Sequence, residues 1–171
     1  PGPGLGGHCI PIDPFYLTWK AKAFGMHTKF IELAGEINSS MPNYVIKRII
    51  ETLNKIGLSA NGSKILILGL AYKSDISDIR ESPSIPIILR LLKLNAEIIV
   101  SDPFIDNQII KRTFNKEMKN IKINNKNLQE FDLIVLLTKH SCFDYELISS
   151  SGKLIVDTRG AFPKGPNIIN A

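Results

Sequence analysis

Four short apolar segments in the second part of the chain constrain its fold most. Residues 64–69 read Lys-Ile-Leu-Ile-Leu-Gly, so the run is continuously apolar rather than alternating with polar residues. Such runs are typical of parallel strands that are buried on both faces. Three more runs follow at residues 97–100, 132–137 and 153–156. Sequence long enough for a helix separates them, so we expect βαβ units with right-handed crossovers.

The sequence before residue 61 has a different pattern, which predicts helices. Asp13-Pro14 is a favourable helix start, because Asp is a good N-cap and Pro is favoured at the first helical position. Gly25 is expected to end this helix. A second helix is expected at residues 29–38, and an amphipathic one after Pro42 with the 3.6-residue apolar period. We expect these last two to form one nearly continuous helix.

Together these patterns predict an α/β protein. Residues 1–60 would form a helical lead-in, and residues 61–171 a doubly wound, mostly parallel, Rossmann-like sheet. The 44% hydrophobic and 22% charged content is that of a globular protein. In such sheets ligands bind at the carboxyl ends of the strands. Four candidate site loops have that position: residues 69–80, 101–103, 138–140 and 157–159.

Cysteine content, hydropathy and charge exclude several classes of protein. Two cysteines, Cys9 and Cys142, are too few for a disulfide scaffold and suit a reducing cytoplasm. The longest apolar run, residues 65–72, is far shorter than the ~20 residues of a membrane helix, and the Pro-Gly-Pro-Gly start is unlike a signal peptide. The net charge is +5, and much of it lies in residues 111–126, where Phe114 is the only aromatic residue. We therefore expect a solvated basic face, with no nucleic-acid or membrane partner.

A glycine-rich segment opens the chain. Residues 2–7 match G-x-G-x-x-G, but a dinucleotide fingerprint needs a strand before it and a helix opening at it. The glycines are instead expected to let backbone N–H groups approach a ligand closely. The first predicted strand ends in Gly69 and continues Leu-Ala-Tyr-Lys without further glycines. We therefore expect that the α/β domain does not hold the pyrophosphate of NAD in the usual way.

Cys9 follows this glycine-rich segment and lies just before the predicted helix start. The positive end of a helix favours a thiolate, and Asp13 is near enough to act as a base or to position a water. The spacing leaves other interpretations open: Cys9 as a small buried residue, or a dyad of Cys9 with His8. A metal site of His8, Cys9 and Asp13 would lack a further pair of ligands, so no metal is expected. Cys142 is expected to be structural.

Three separated motifs resemble the UDP-glucose/GDP-mannose dehydrogenase family. In chain order they are PGPGLGGHCIPIDP at residues 1–14, IELAGEIN at 31–38, and LGLAYK with RESP within 68–83. UDP-glucose enzymes usually carry Lys at the position of Ile12. The motif with Ile is most similar to that of 6-dehydrogenases of UDP-N-acetylhexosamines such as UDP-N-acetylglucosamine or UDP-N-acetylmannosamine. The resemblance implies oxidation of the C6 alcohol of the sugar to a carboxylate, with NAD⁺ as oxidant.

The resemblance also implies roles for single residues. Cys9 would be the nucleophile that captures the C6 aldehyde as a thiohemiacetal, which becomes a thioester. Asp13 would handle the proton or the water, and the loop from Pro1 to Gly6 would hold the nucleotide sugar. The implied contacts to the UDP-sugar are Gly2, Gly4, Leu5, Gly6, Tyr72, Lys73 and Arg159. Those to NAD are Cys9, Ile10, Pro11 and Arg80.

The N-terminal NAD-binding domain of the family is missing from this sequence. The resemblance therefore implies the C-terminal portion of an enzyme of surface-polysaccharide synthesis. That portion would be inactive alone, with NAD bound mainly by the missing domain. A homodimer through residues 29–56 is expected.

Three alternatives remain: a non-catalytic UDP-sugar-binding module, a UDP-glucose or GDP-mannose 6-dehydrogenase, and a different Cys-dependent acyl enzyme. The last would need a nearby base that the spacing does not supply.

Overall fold

Two helices precede the sheet in the computed structural model, which describes residues 2–171. Pro1, assigned above to the glycine-rich loop, lies outside the described residues. Helix α1 spans Cys9–Ala23, and helix α2 spans Lys29–Lys55. Helix α2 runs through Pro42 without interruption, which confirms the expectation of one continuous helix.

The predicted start of α1 is wrong: the expected N-cap, Asp13, lies five residues after the observed one. The N-cap is His8, whose side chain makes no capping hydrogen bond, and Pro14 lies inside the helix. An earlier start is possible because Pro11 falls in the first turn, where backbone N–H groups have no partner within the helix. Cys9 is therefore the first residue of α1, and Asp13 follows on the same helical face at the i,i+4 spacing.

The rest of the chain forms a five-stranded sheet with the order β2-β1-β3-β4-β5. The strands are β1 Lys64–Leu68, β2 Glu97–Ser101, β3 Leu133–Leu136, β4 Leu154–Asp157 and β5 Ile168–Asn170. The connecting helices are α3 Ser84–Lys93, α4 Asn107–Phe114, α5 Asn125–Leu128 and α6 Tyr145–Ser150. Every neighbouring pair of strands is parallel, which confirms the predicted α/β class. Strand β5 was not predicted, because its short and partly exposed sequence forms no buried apolar run.

Alternate side chains of each strand enter two separate apolar layers. In β1, Ile65 and Ile67 pack in the layer that contains α2, α3 and α4. Leu66 and Leu68 pack in the opposite layer, which contains α5 and α6. The second half of α2, residues 45–53, supplies buried side chains to the first layer, so this helix joins the lead-in to the sheet. The boundary proposed between the two domains stays a prediction.

The sheet order reverses between β1 and β3, which both have β-strand neighbours on each side. The carboxyl ends of these two strands therefore border the crevice in which doubly wound proteins bind ligands. Helix α1 and the first half of α2 lie outside both core layers and expose large apolar side chains, among them Phe30 and Trp19. Within residues 2–171, no helix is both long and apolar enough to cross a bilayer.

Candidate functional site

Two backbone N–H groups of the glycine-rich loop, residues 2–7, attach it to the α/β part and to helix α2. The Gly7 N–H donates to the carbonyl oxygen of Arg80 at 3.0 Å. The Leu5 N–H donates to Oδ1 of Asn38, on α2, at 2.8 Å. Sequence reasoning did not single out Asn38, although it ends one of the three motifs. The loop is thus bonded to the segment between β1 and α3 and to the long helix α2.

Glycine is required in this loop because other parts of the chain come very close. A Cβ atom on Gly6 would lie 2.6 Å from the carbonyl oxygen of Glu81 and 2.6 Å from Cβ of Tyr72. A Cβ atom on Gly2 would lie 2.9 Å from a terminal guanidinium nitrogen of Arg159. The glycines therefore allow the loop to pack closely against the rest of the protein, and the expected approach of their N–H groups to a ligand stays a prediction.

Arg159, two residues beyond the end of β4, lies against Gly2 in this loop. Its Nε–H donates to the carbonyl oxygen of Leu137 at 2.7 Å, and its backbone N–H donates to Oδ1 of Asp157 at 2.8 Å. Burial lowers the pKa of its guanidinium, but an arginine stays charged at neutral pH. Among residues 2–171, no carboxylate forms an ion pair with it. A fixed guanidinium of this kind suits a phosphate group.

Tyr72 and Lys73 follow β1 at the same edge of the sheet. The ring of Tyr72 lies beneath the glycine-rich loop: a Cβ atom on Gly7 would be 2.7 Å from its Cε2. The backbone N–H of Tyr72 donates to the carbonyl oxygen of Asp78 at 3.1 Å. Tyr72 is half-buried and Lys73 is exposed. The structure therefore brings Tyr72 and Arg159 to one loop, whereas Lys73 is exposed and has no side-chain hydrogen bond or ion pair among residues 2–171.

The first turns of α1 carry the predicted reactive residues. Cys9 is a free, exposed cysteine, so the interpretation of Cys9 as a small buried residue is wrong. Asp13 and Ile10 are also exposed, and Pro11 is half-buried. Within residues 2–171, no group of His, Cys, Asp and Glu side chains is arranged to hold a metal ion. The thiol and the carboxylate thus lie in the first two turns of α1, open to a substrate.

Arg80 contributes its backbone and its side chain to different contacts. Its carbonyl oxygen accepts the hydrogen bond from Gly7. Its guanidinium pairs with Asp78, with Nη2 2.7 Å from Oδ2, and is exposed to solvent. Hydrogen bonds from Arg80 hold the pKa of the Asp78 carboxyl below its ordinary value.

A buried pair, Asp102 and His140, underlies the same edge and was not singled out from the sequence. Oδ2 of Asp102 accepts hydrogen bonds from the N–H groups of Leu70 at 2.6 Å and Ala71 at 3.1 Å. Nε2 of His140 lies 3.1 Å from the same oxygen. Burial alone would raise the pKa of Asp102, but hydrogen bonds from His140 and the backbone bring it below its ordinary value. The sequence did offer one indication of the pair, because Asp102 and His140 lie in two of the candidate site loops, residues 101–103 and 138–140.

The Asp102 carboxylate also determines whether this domain suits NAD. In a dinucleotide-binding domain, the N–H groups after the first strand face the pyrophosphate. Here the N–H groups of Leu70 and Ala71 bind the carboxylate of Asp102 instead. The N–H groups that would face a pyrophosphate in such a domain are therefore already bound to a carboxylate of this chain, so this site does not fit that group.

Comparison with known proteins identifies one family along most of the chain. Residues 1–40 match the central domain of the UDP-glucose/GDP-mannose dehydrogenase family, and residues 66–164 match its UDP binding domain. A UDP-N-acetyl-D-glucosamine 6-dehydrogenase of Salmonella typhi is 32% identical over 142 residues. A UDP-N-acetyl-D-mannosamine dehydrogenase of Methanococcus maripaludis is 38% identical over 143 residues. These matches cover 82% and 84% of this chain but only 32% and 30% of the relatives. The chain therefore spans less than a third of their length.

Solved structures show the same relationship. UDP-D-ManNAc dehydrogenase from Pyrococcus horikoshii matches with a TM-score of 0.80 and 28% identity, over 99% of this chain and 39% of that one. The UDP-N-acetyl-mannosamine dehydrogenase Cap5O from Staphylococcus aureus matches with a TM-score of 0.67 and 27% identity, over 99% of this chain and 37% of that one. Both likenesses include the helical lead-in and the sheet. Together with the match over residues 66–164, they establish that this chain belongs to the UDP-glucose/GDP-mannose dehydrogenase family.

Proposed function

We propose that this chain is the UDP-sugar-binding and thiol-bearing part of an NAD-dependent 6-dehydrogenase acting on a UDP-N-acetylhexosamine. The observation that carries the proposal is the packing of the glycine-rich loop against Arg159, a partly buried cation without a carboxylate partner among the described residues. The names of the relatives and the presence of Ile12 favour an N-acetylhexosamine over glucose. The reaction would belong to surface-polysaccharide synthesis in the cytoplasm.

The nucleotide end of the substrate would bind at the carboxyl edge of the sheet. A diphosphate carries negative charge and many acceptor oxygens, so it needs fixed cations and N–H donors. Arg159 and Lys73 would supply the positive charge, and the ring of Tyr72 would pack beside the bound nucleotide. Backbone groups of the loop would complete the site, at Gly2, Gly4, Leu5 and Gly6.

The reacting end of the substrate would lie at the start of α1. The thiolate of Cys9 would form a carbon–sulfur bond with the C6 aldehyde, because sulfur adds readily to a carbonyl carbon and also leaves readily from an acyl group. After that adduct is oxidised to a thioester, water would attack the acyl carbon and the carbon–sulfur bond would break. Asp13, one turn along α1, would accept the proton from that water.

NAD⁺ would supply the oxidising power of the reaction. The site after β1 does not fit its pyrophosphate, because the carboxylate of Asp102 binds the N–H groups there. We propose that this chain contributes only contacts at the margin of a cofactor held elsewhere. Those contacts would come from Cys9, Ile10 and Pro11 at the start of α1, and from the exposed guanidinium of Arg80.

A second copy of the chain would pair through residues 29–56. The first half of α2 has exposed apolar side chains, including Phe30 at 89% and Ile37 at 54% exposure. Large contiguous apolar surfaces of this kind mark sites of association.

Calorimetry on this chain tests the proposal. We expect UDP to bind and NAD not to bind. Arg159→Met should weaken UDP binding roughly 10- to 150-fold, because a hydrogen bond to a charged group contributes about 1.5–3 kcal/mol. Arg112→Met, at an exposed position of α4, is the matched control and should leave the UDP affinity unchanged. Binding of NAD without binding of UDP would overturn the assignment.

A further inference from the structure

His140 is a completely buried histidine that the proposed reaction does not use. Its ring nitrogens contact two different segments of the chain: Nδ1 lies 2.9 Å from the backbone nitrogen of Asp75, and Nε2 lies 3.1 Å from Oδ2 of Asp102. Phe104 and Phe143 pack against the ring, with centroid distances of 4.9 and 5.4 Å. Two hydrogen bonds and two aromatic contacts therefore fix the imidazole at the point where the loops after β1, β2 and β3 meet.

The two contacts determine where the ring carries its proton. A backbone N–H can only donate, so Nδ1 must accept the hydrogen bond from Asp75 and is not protonated. In the neutral imidazole the proton is then on Nε2, which donates it to Asp102. The two ring nitrogens thus have different roles, since Nδ1 holds the backbone at Asp75 and Nε2 holds the carboxylate of Asp102.

Asp75 is the far end of the segment that carries Tyr72 and Lys73. Its φ angle is +60°, in the left-handed region that a side chain other than glycine adopts only at a cost. Its N–H binds His140, and its Oδ1 accepts a hydrogen bond from the Ser141 N–H at 2.8 Å. These bonds stabilise an unfavourable backbone conformation and tie the segment to the loop after β3.

We propose that His140 is a positioning residue, whose Nδ1 holds Asp75 and so keeps Tyr72 and Lys73 in the arrangement that binds the nucleotide of a UDP-sugar. The near end of this segment is fixed separately, since the N–H groups of Leu70 and Ala71 bind Asp102. Tyr72 and Lys73 lie between these two attachments, and losing the bond at Nδ1 removes one of the two hydrogen bonds that fix the Asp75 end. This inference rests on the proposed function for the identity of the ligand, whereas the hydrogen bonds of His140 are seen in the structure itself.

Two substitutions separate the roles of the two nitrogens. In His140→Asn, the amide oxygen replaces Nδ1 as acceptor and the contact with Asp102 is lost. In His140→Gln, the amide nitrogen replaces Nε2 as donor and the acceptor for the Asp75 N–H is lost. Calorimetry with UDP should show the Gln variant bound about tenfold more weakly than the unmodified chain, and the Asn variant within about threefold of it. His27→Gln, at an exposed position between α1 and α2, is the control and should bind UDP normally.

Stability measured on the same variants distinguishes positioning from a merely structural role. A structural role predicts that UDP affinity falls in step with the midpoint of urea unfolding in both variants. Positioning predicts that the Asn variant loses stability but keeps its affinity, whereas the Gln variant loses affinity. Equal losses of affinity in the two variants would overturn the proposal.

Measurements on the unmodified chain test the geometry without UDP and without any variant. Nitrogen NMR of the imidazole should show the proton on Nε2, and the amide of Asp75 should exchange at least about tenfold more slowly than exposed loop amides. A proton on Nδ1, or fast exchange at Asp75, would overturn the positioning role. Absence of UDP binding with a slow Asp75 amide would instead overturn the proposed function and leave this geometry in place.

Discussion

At the scale of single residues, the two cysteines differ in ways that predict different reactivity. Cys9 is exposed at the positive end of α1, an environment that favours reaction of a thiol. Cys142 is exposed as well, but desolvation raises the pKa of its thiol, and the negative charges of Asp75 and Asp102 add to this effect. We expect iodoacetamide to alkylate Cys9 about tenfold faster than Cys142 at pH 7.

Peptide mass spectrometry over a time course measures both rates in one sample. In urea the two thiols should react at similar rates, which controls for local sequence. Equal rates in the folded chain would contradict the prediction and would favour the alternative of a non-catalytic UDP-sugar-binding module.

Asp102 predicts a pH dependence of stability. Its pKa is lowered in the folded chain, so its stabilising contribution is present above the unfolded pKa, near 4, and is lost as the pH falls through the folded value. Asp102→Asn removes the charge and places an amide donor near buried N–H groups. We expect the free energy of unfolding to fall by about 1–3 kcal/mol at pH 7, and the difference to shrink below about pH 4.

Urea unfolding of both chains between pH 7 and pH 3 measures this difference. Asp106→Asn, at the exposed N-cap of α4, is the control, because Asn caps a helix as well as Asp does. A difference that stays constant over this pH range would show that the charge of Asp102 does not stabilise the fold.

At the scale of structural elements, the glycine-rich loop depends on close approach to the sheet. A methyl group on Gly6 would lie 2.6 Å from the backbone carbonyl oxygen of Glu81, and backbone cannot move aside cheaply. We expect Gly6→Ala to displace the loop and to weaken UDP binding about tenfold or more, while the buried core keeps its stability.

Gly165→Ala is the matched control, because its Cβ atom would meet nothing nearer than 3.3 Å. Calorimetry with UDP and thermal unfolding should be measured on both variants. Normal UDP binding by Gly6→Ala would show that the loop position does not matter for the nucleotide.

At the scale of the whole molecule, the apolar surface of α1 and α2 predicts self-association. Phe30 is 89% exposed near the start of α2, and burying a phenylalanine contributes about 1.5–3 kcal/mol. We expect Phe30→Asp to weaken dimerisation roughly 10- to 150-fold. Leu89→Asp, at a 39% exposed apolar position on α3, should leave it unchanged.

Sedimentation equilibrium over a range of protein concentrations measures the association of all three chains. A chain that stays monomeric without any substitution would remove the proposed dimer through residues 29–56. Equal weakening by both substitutions would indicate nonspecific adhesion between apolar side chains.

The sequence by itself determined the α/β class, the continuous helix α2 and the edge of the sheet at which polar residues collect. These features follow from local patterns: uninterrupted apolar runs, the helical period, and polar or glycine residues directly after each run. The start of α1 was not predicted correctly, because Asp13-Pro14 resembles a helix start although it lies inside the helix, and the actual N-cap, His8, makes no capping hydrogen bond. Strand β5 was not predicted, because this short edge strand forms no buried apolar run.

Only the tertiary structure decided which of those edge residues touch. Asp102 and His140 are separated by 38 positions, and they meet because β1 lies between β2 and β3. Gly2 and Arg159 lie at opposite ends of the chain, and they meet because α2 returns the lead-in to the sheet. A sequence pattern predicts the face of its own strand or helix on which a side chain lies. The partner across the fold depends on strand order and packing, which are properties of the whole chain.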